Sequence, residues 1–242
     1  MARPEPSSDA SDFAVDARGR PAIRRYSSNE RSTHWLTALC FIALALSGLA
    51  LFHPALFWLT ALFGGGPWTR ILHPFVGVLM FVLFMALVVR FARHNHLDAN
   101  DRRWLAQPGD VLRNREERLP PVGRYNAGQK LLFWALLVAM GVMLLTGLAI
   151  WRAYFSAWFP VSLVRLASLL HAFFAFLMIV AIVVHVYAAI WIKGSIRAMT
   201  RGSVSYAWAR RHHADWYGEV VERERRADKH GNAGAPPARG AP

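Results

Sequence analysis

Leu166-Ala-Ser-Leu-Leu-His171-Ala-Phe-Phe-Ala-Phe-Leu-Met-Ile-Val-Ala-Ile-Val-Val-His185-Val-Tyr-Ala-Ala-Ile-Trp-Ile192 is the stretch on which the fold turns. It holds no Asp, Glu, Lys or Arg, and it is apolar on every side rather than along one stripe. A helix needs roughly 20 apolar residues, within a range of about 17–25, to cross the hydrocarbon core of a bilayer. A helix that is apolar all round has no face to offer water. The stretch reads as a membrane span. His171 and His185 are its histidines, fourteen positions apart. At about 3.6 residues per turn this is nearly four whole turns, so both point to one face, roughly 21 Å apart along the axis.

Three more blocks of this kind lie at about His34–Phe52, Ile71–Phe91 and Lys130–Trp151. Trp35, Trp58, Trp68, Trp134, Trp151, Tyr154 and Trp191 fall near predicted span ends, where amphipathic rings sit at the membrane–water boundary. The chain is also strongly basic, with formal net charge +13, while 55% of its residues are hydrophobic. A soluble nucleic-acid binder would interleave the two kinds of residue. Here they are segregated into blocks, which excludes that class.

The 28 Lys and Arg residues are unevenly placed. Arg18, Arg20, Arg24, Arg25 and Arg31 precede the first span. Arg93, Arg102, Arg103, Arg113, Arg115, Arg118 and Arg124 lie between the second and third. Lys193, Arg197, Arg201, Arg210, Arg211 and several others follow the fourth, whereas the other two connections hold Arg70, Arg152 and Arg165. Positive charge stays on the cytoplasmic side, so both termini are expected inside. The first thirty residues lack the apolar core of a signal peptide and read as a flexible cytoplasmic tail. His230 to Pro242, rich in Gly, Ala and Pro, reads as a disordered tail. Gly64-Gly65-Gly66-Pro67 ends any interfacial segment begun at Pro54. The polar connection Arg93–Arg124, with Pro108-Gly109 and Pro120-Pro121 as turn signals, has the length to form a small cytoplasmic cap.

Four of the ten histidines fall in the spans or their first turns: His34, His73, His171 and His185. An ionisable group at membrane depth is costly and marks a candidate functional site, although a single one is as often a hydrogen-bonded packing residue. Topology sorts the four by depth. Spans one and four bring His34 and His185 to the inner level, and spans two and four bring His73 and His171 to the outer level. Two facing imidazoles can supply both axial ligands of a haem iron and leave no open position for oxygen, which suits electron transfer. With one cysteine, Cys40, and no Cys-x-x-Cys-His motif, such a haem is held non-covalently. Cys40 itself reads as a small buried apolar residue. Ser47, Gly48, Gly77, Gly141, Thr146 and Gly147 would let a flat macrocycle approach the helices, or are ordinary small residues at helix contacts. A zinc or copper site would want three or four converging ligands, and a proton relay would want Asp or Glu within the spans. Neither set is present at these levels. His53, His94, His96, His212, His213 and His230 read as solvated residues of loops and tails.

Several motifs carry a family resemblance. Arg31-Ser-Thr-His34-Trp35, Leu46-Ser-Gly48 and Arg70-Ile-Leu-His73-Pro74-Phe75 come first. Gly123-Arg-Tyr-Asn126-Ala-Gly128-Gln129-Lys130, Thr146-Gly147 and Trp151-Arg-Ala-Tyr154-Phe155 follow. His171-Ala172, His185-Val-Tyr187, Trp191-Ile-Lys-Gly194-Ser195 and Trp208-Ala-Arg-Arg-His212-His213 complete the set. Together they resemble the membrane cytochrome b (gamma) subunit of respiratory formate dehydrogenase, in order, from about Arg25 to Val220. The Gly64-Gly65-Gly66 stretch and the long amino-terminal tail depart from that pattern.

The resemblance implies an all-α membrane protein, a four-transmembrane-helix bundle of the di-haem cytochrome b type, in a bacterial inner membrane. Residues 31–195 would form the haem domain, 1–30 and 230–242 the tails, and 196–229 a basic cytoplasmic segment. It implies two haem b groups, an outer one on His73 and His171 and an inner one on His34 and His185. It implies a menaquinone or ubiquinone pocket lined by Asn126, Gly128, Gln129 and His185, where the residues alone read as a turn and helix cap. The implied partners are the iron–sulfur (beta) and catalytic (alpha) subunits of formate dehydrogenase, besides lipid and quinone. Formate oxidation would lie elsewhere, since the chain has no molybdenum-cofactor, tungsten-cofactor or iron–sulfur motif. The rival readings are a haem b subunit of another complex, such as a nickel–iron hydrogenase, and a haem-free membrane anchor or transporter.

Overall fold

The computed structural model describes residues 12–15, 19–113 and 115–232. In chain order these give β1 (Phe13–Val15), β2 (Pro21–Arg24), α1 (Ser28–Phe52), a 3-10 segment Pro54–Phe63, α2 (Gly66–Phe91), α3 (Ala99–Leu105), α4 (Pro108–Leu112), α5 (Ala127–Ile150), α6 (Val161–Trp191), α7 (Ser195–Arg201), β3 (Ser203–Ser205), α8 (Tyr206–His212) and α9 (Ala214–Asn232). Two compact units result. One is Ser28–His96 with Gly128–Lys193, and the other collects the described parts of Met1–Ser27, Leu97–Ala127 and Gly194–Pro242.

The first unit is a bundle of α1, α2, α5 and α6. Their most apolar windows have mean hydropathy 2.2 to 2.6, yet only 6–17% of those windows is buried inside the protein. Leu145 and Leu169 are each 69% exposed. Leaving a large apolar side chain in water forfeits about 1.5–3 kcal/mol, so surfaces like these are stable only against lipid. The chain is a multi-pass membrane protein. Each helix runs past the apolar block that signals it, because helical structure continues through the polar interface. α1 begins at Ser28, for instance, and its Glu30 accepts a charged hydrogen bond from Arg90 Nε near the end of α2 at 2.8 Å. Asn95 Nδ2 donates to the Phe91 carbonyl and closes that end of α2, while Trp134 Nε1 on α5 donates to the Asn95 carbonyl. The 3-10 segment stops where the glycine run begins, with Gly64 at φ 84° and Gly65 at φ 94°. Such values suit glycine alone. Between the helices lies a layer of Cys40, Met80, Ala139, Met140 and Met178, one or two residues from each span.

The second unit corrects two expectations. In place of a flexible tail through residue 30, β1 and β2 pair antiparallel, and β2 pairs antiparallel with β3, so Ile23 lies between Phe13 and Val204. Residues 1–11 and 16–18 of that tail, and 233–242 of the other, lie outside the described residues. Strands of three or four residues carry too little alternation to be read, and β3 is about 180 positions away in sequence. Ile23, Ala198, Val204, Ala209, Trp216 and Val220 form the core of this unit. Gly194, at φ 103°, allows a tight approach: a Cβ there would meet Trp208 Cδ1 at 2.7 Å.

The other correction concerns His213, read as solvated and found 3% exposed. Its Nδ1 lies 2.8 Å from the Gly123 carbonyl, which can only accept, so that nitrogen carries the proton. Nε2 then accepts from Arg25 Nη2 at 3.3 Å. Arg25 and Arg124 exchange bonds, each guanidinium donating to the other's carbonyl at 2.6 and 2.7 Å. The Arg25 guanidinium sits 4.7 Å from the centre of the Trp216 ring and 5.2 Å from that of Trp208, a cation–π setting. Burial, and then the neighbouring Arg25 charge, hold His213 well below the usual imidazole value of 6.5. The unfolded chain therefore takes up this proton first. The stability His213 contributes is present above about pH 6.5 and is lost as pH falls below it. His213→Asn, which keeps a donor to Gly123, should flatten the fall in melting temperature between pH 7 and 5, as read by tryptophan fluorescence. An unchanged slope would place the proton elsewhere.

Candidate functional site

α6 carries His171 and His185 on one face, and the bundle supplies each with a partner. The His34 and His185 ring centroids are 6.4 Å apart with planes inclined at 50°. Those of His73 and His171 are also 6.4 Å apart, with planes at 66°. Metal–imidazole bonds of about 2.0–2.1 Å, with ring nitrogens roughly 1.1 Å from the ring centre, put two axial imidazoles about 6.2–6.4 Å apart across one metal ion. Both pairs fit that span. Among the described residues no cluster of three or more His, Cys, Asp or Glu side chains is placed to hold a metal ion. Two imidazoles and nothing further make the donor set that suits a macrocycle supplying its own equatorial nitrogens.

The two centres differ in what surrounds the rings. His73 Nδ1 lies 2.7 Å from Ser47 Oγ on α1, and His171 Nδ1 lies 2.9 Å from Thr146 Oγ1 on α5. Ser47 Oγ in turn donates to the Ala43 carbonyl at 2.7 Å, and Thr146 Oγ1 to the Val142 carbonyl at 2.6 Å. The next residue along each helix is glycine. A Cβ at Gly48 would meet His73 Cε1 at 3.4 Å, and one at Gly147 would meet His171 Cε1 at 3.3 Å. Of the small residues noted in the sequence, these four touch the imidazoles, while a Cβ at Gly141 would have no heavy atom within 4 Å. At the other pair, His34 Nδ1 is buried with no hydrogen-bond partner among the described residues.

Pro74 follows His73 directly and cannot donate to the Arg70 carbonyl, which loosens α2 at its histidine. Phe75 packs edge-on against Trp151, with centroids 5.0 Å apart, and closes that end of the bundle with Tyr154 and Phe155. Cys40 is 7% exposed in the apolar layer, and among the described residues no ligand set surrounds it.

The family description of prokaryotic cytochrome b561 matches residues 25–202. The chain belongs to the prokaryotic cytochrome b561 family. Membership brings haem b. The chain is 45% identical over 195 residues to the nitrate-inducible formate dehydrogenase cytochrome b556(Fdn) subunit of Escherichia coli K12, covering 81% of this chain and 90% of that one. It is 44% identical over 201 residues to the formate dehydrogenase cytochrome b556(fdo) subunit of the same organism, covering 83% and 94%. The formate dehydrogenase cytochrome b556 subunit of Haemophilus influenzae is 42% identical over 199 residues, covering 82% and 84%.

The remaining predicted residues are neighbours at one helix start. Gly128 and Gln129 lie in the first turn of α5, and Asn126 directly precedes Ala127. The residues that sequence reading undervalued are Ser47 and Thr146, taken only as small. A signal was available, since Leu46-Ser47-Gly48 and Leu145-Thr146-Gly147 stand 26 and 25 positions before His73 and His171. Removing one ligand from each centre separates them: His171→Ala and His185→Ala should each keep roughly half the haem per chain by pyridine haemochromogen assay, each losing a different spectral component. Full haem content in both variants would refute the pairing.

Proposed function

We propose that this chain is the haem b membrane subunit of a formate dehydrogenase, passing electrons from an iron–sulfur subunit at the outer face to a quinone at the inner face. The observation that carries this reading is the meeting of both histidine pairs in a chain that aligns along most of its length with subunits so named. Haem b, when bound, would supply a one-electron carrier. His73 and His171 would hold the outer group, and His34 and His185 the inner one. Each ring would offer an unprotonated nitrogen to the metal and keep its proton on the other nitrogen. The spans contain no acidic side chain between the two levels, so protons have no relay through the bundle.

Sidedness rests on charge. The arginine-rich segments are the amino-terminal stretch, the connection between α2 and α5, and the carboxy-terminal stretch, and these belong to one compact unit. Three segments that fold together share one side of the membrane, and the positive-inside rule makes that side the cytoplasm. Both termini are then inside, in a bacterial inner membrane. Asn126, Gly128 and Gln129 stand at the start of α5 on that side. The Asn126 and Gln129 amides suit the carbonyls of menaquinone or ubiquinone, near the aqueous protons a quinol needs. The catalytic subunit would oxidise formate outside.

A dithionite-reduced minus oxidised spectrum of the purified complex should show b-type bands, and formate should reduce them when the iron–sulfur and catalytic subunits co-purify. Absence of b-type bands would end the reading, and a hydrogenase catalytic subunit in their place would reassign the donor. Asn126→Ala or Gln129→Ala should slow quinone reduction roughly tenfold with haem content intact, the effect of losing one hydrogen bond worth about 1.4 kcal/mol. Unaltered turnover in both variants would remove these residues from the quinone site.

A further inference from the structure

The two histidine pairs are built from unequal parts. His73 and His171 each have a hydroxyl at Nδ1, and each hydroxyl comes from a helix that supplies that centre with no ligand. α2 and α6 give the imidazoles, while α1 and α5 give Ser47 and Thr146, so all four helices converge on this centre. The arrangement is repeated: hydroxyl, then glycine, then an imidazole packed against that glycine from the next span.

The proton inventory at each hydroxyl has a preferred solution. Ser47 Oγ has the Ala43 carbonyl at 2.7 Å and the Leu44 carbonyl at 3.3 Å. Thr146 Oγ1 has the Val142 carbonyl at 2.6 Å and the Met143 carbonyl at 3.3 Å. Carbonyls only accept, so the single hydroxyl proton goes to the backbone and the oxygen lone pair is left for Nδ1–H. Both rings are thus set with Nδ1 protonated and Nε2 bare. That is the tautomer a metal ligand needs, and a second-shell acceptor on Nδ1–H also raises the basicity of the ligating nitrogen. His34 Nδ1, buried, has no such acceptor among the described residues.

We infer that Ser47 and Thr146 are positioning residues of one haem centre, fixing the tautomer of His73 and His171 and lowering the reduction potential of the haem they hold relative to a centre without hydroxyl partners. This rests on the two-haem reading. A more basic axial ligand favours the ferric state, so the hydroxyls stabilise the oxidised form at the proposed electron-entry end. The inner pair, with an unpartnered His34 nitrogen, is left at the higher potential. Electron flow from the outer to the inner level then runs downhill by construction of the side chains.

The test is a potentiometric titration of the full chain in its complex, following the two b haems by absorbance and by low-temperature EPR of the ferric forms. Ser47→Ala and Thr146→Val should each raise the midpoint of one haem and shift its EPR signal while the other haem titrates as in the wild type. Ser47→Thr and Thr146→Ser, which restore a hydroxyl at altered volume, should return the midpoint toward the wild-type value. Where a hydroxyl-deleted variant loses that haem instead, retention in the hydroxyl-restored partner supports the assignment equally. Unmoved midpoints with both haems bound, equal shifts of both haems, or haem loss that persists in the hydroxyl-restored variants would overturn it. Absence of b haem from the wild type would instead strike the two-haem reading itself, so the two failures are distinguishable.

Discussion

An imidazole carried into hydrocarbon is costly unless it is neutral and its ring nitrogens find partners, because no water is present to supply them. Four such rings are the constraint under which the bundle is built. His171 and His185 share one face of α6, nearly four turns apart, and each meets a histidine of another helix. α1 and α2 answer with one histidine each, at opposite ends of the bundle. α5, with no histidine, answers with a hydroxyl. The glycines at 48 and 147 follow from the same demand, since a ring at 3.3–3.4 Å from a hypothetical Cβ leaves little tolerance for a real one.

Much of this was legible in the chain itself. Continuous apolar blocks give span number, and the fourteen-residue interval between His171 and His185 gives common facing, because both depend on local periodicity. Depth pairing needed only the direction of each span. The hydroxyl contacts were not legible as such: Ser47 meets His73 and Thr146 meets His171 across a helix interface, and a small polar residue in a span looks the same whether it bonds a ring or only its own backbone. His213 was missed for the opposite reason. It lies in a polar, arginine-rich stretch where solvation is the ordinary expectation, and its burial depends on Arg25 and Gly123, 188 and 90 positions away.

The unit built from the arginine-rich segments shows that positive charge can do more than set sidedness. Arg25 is 3% exposed and is surrounded by aromatic rings, the Arg124 carbonyl and the His213 imidazole. Its reciprocal bonds with Arg124 tie the strand end before α1 to the turn before α5, and its contact with His213 brings in the start of α9. One buried guanidinium thereby joins three segments that sequence places far apart. The three-stranded sheet, with Ile23 central, is the second tie between the same ends of the chain.

Midway between the two histidine levels lies the sulfur-rich layer of Cys40, Met80, Ala139, Met140 and Met178, with Met178 seven residues from each α6 histidine. It contains no group that titrates near neutrality and nothing that would order a file of water. In electrical language the bundle is a capacitor: two polarisable plates at the histidine levels, and a dielectric of thioethers and methyls between them. A unit charge displaced between the faces of an energised membrane stores roughly 2.3 kcal/mol for every 100 mV. That energy is retained only if ions cannot leak back along the same route. The methionines and the alanine are therefore the insulation on which any charge separation by this subunit depends.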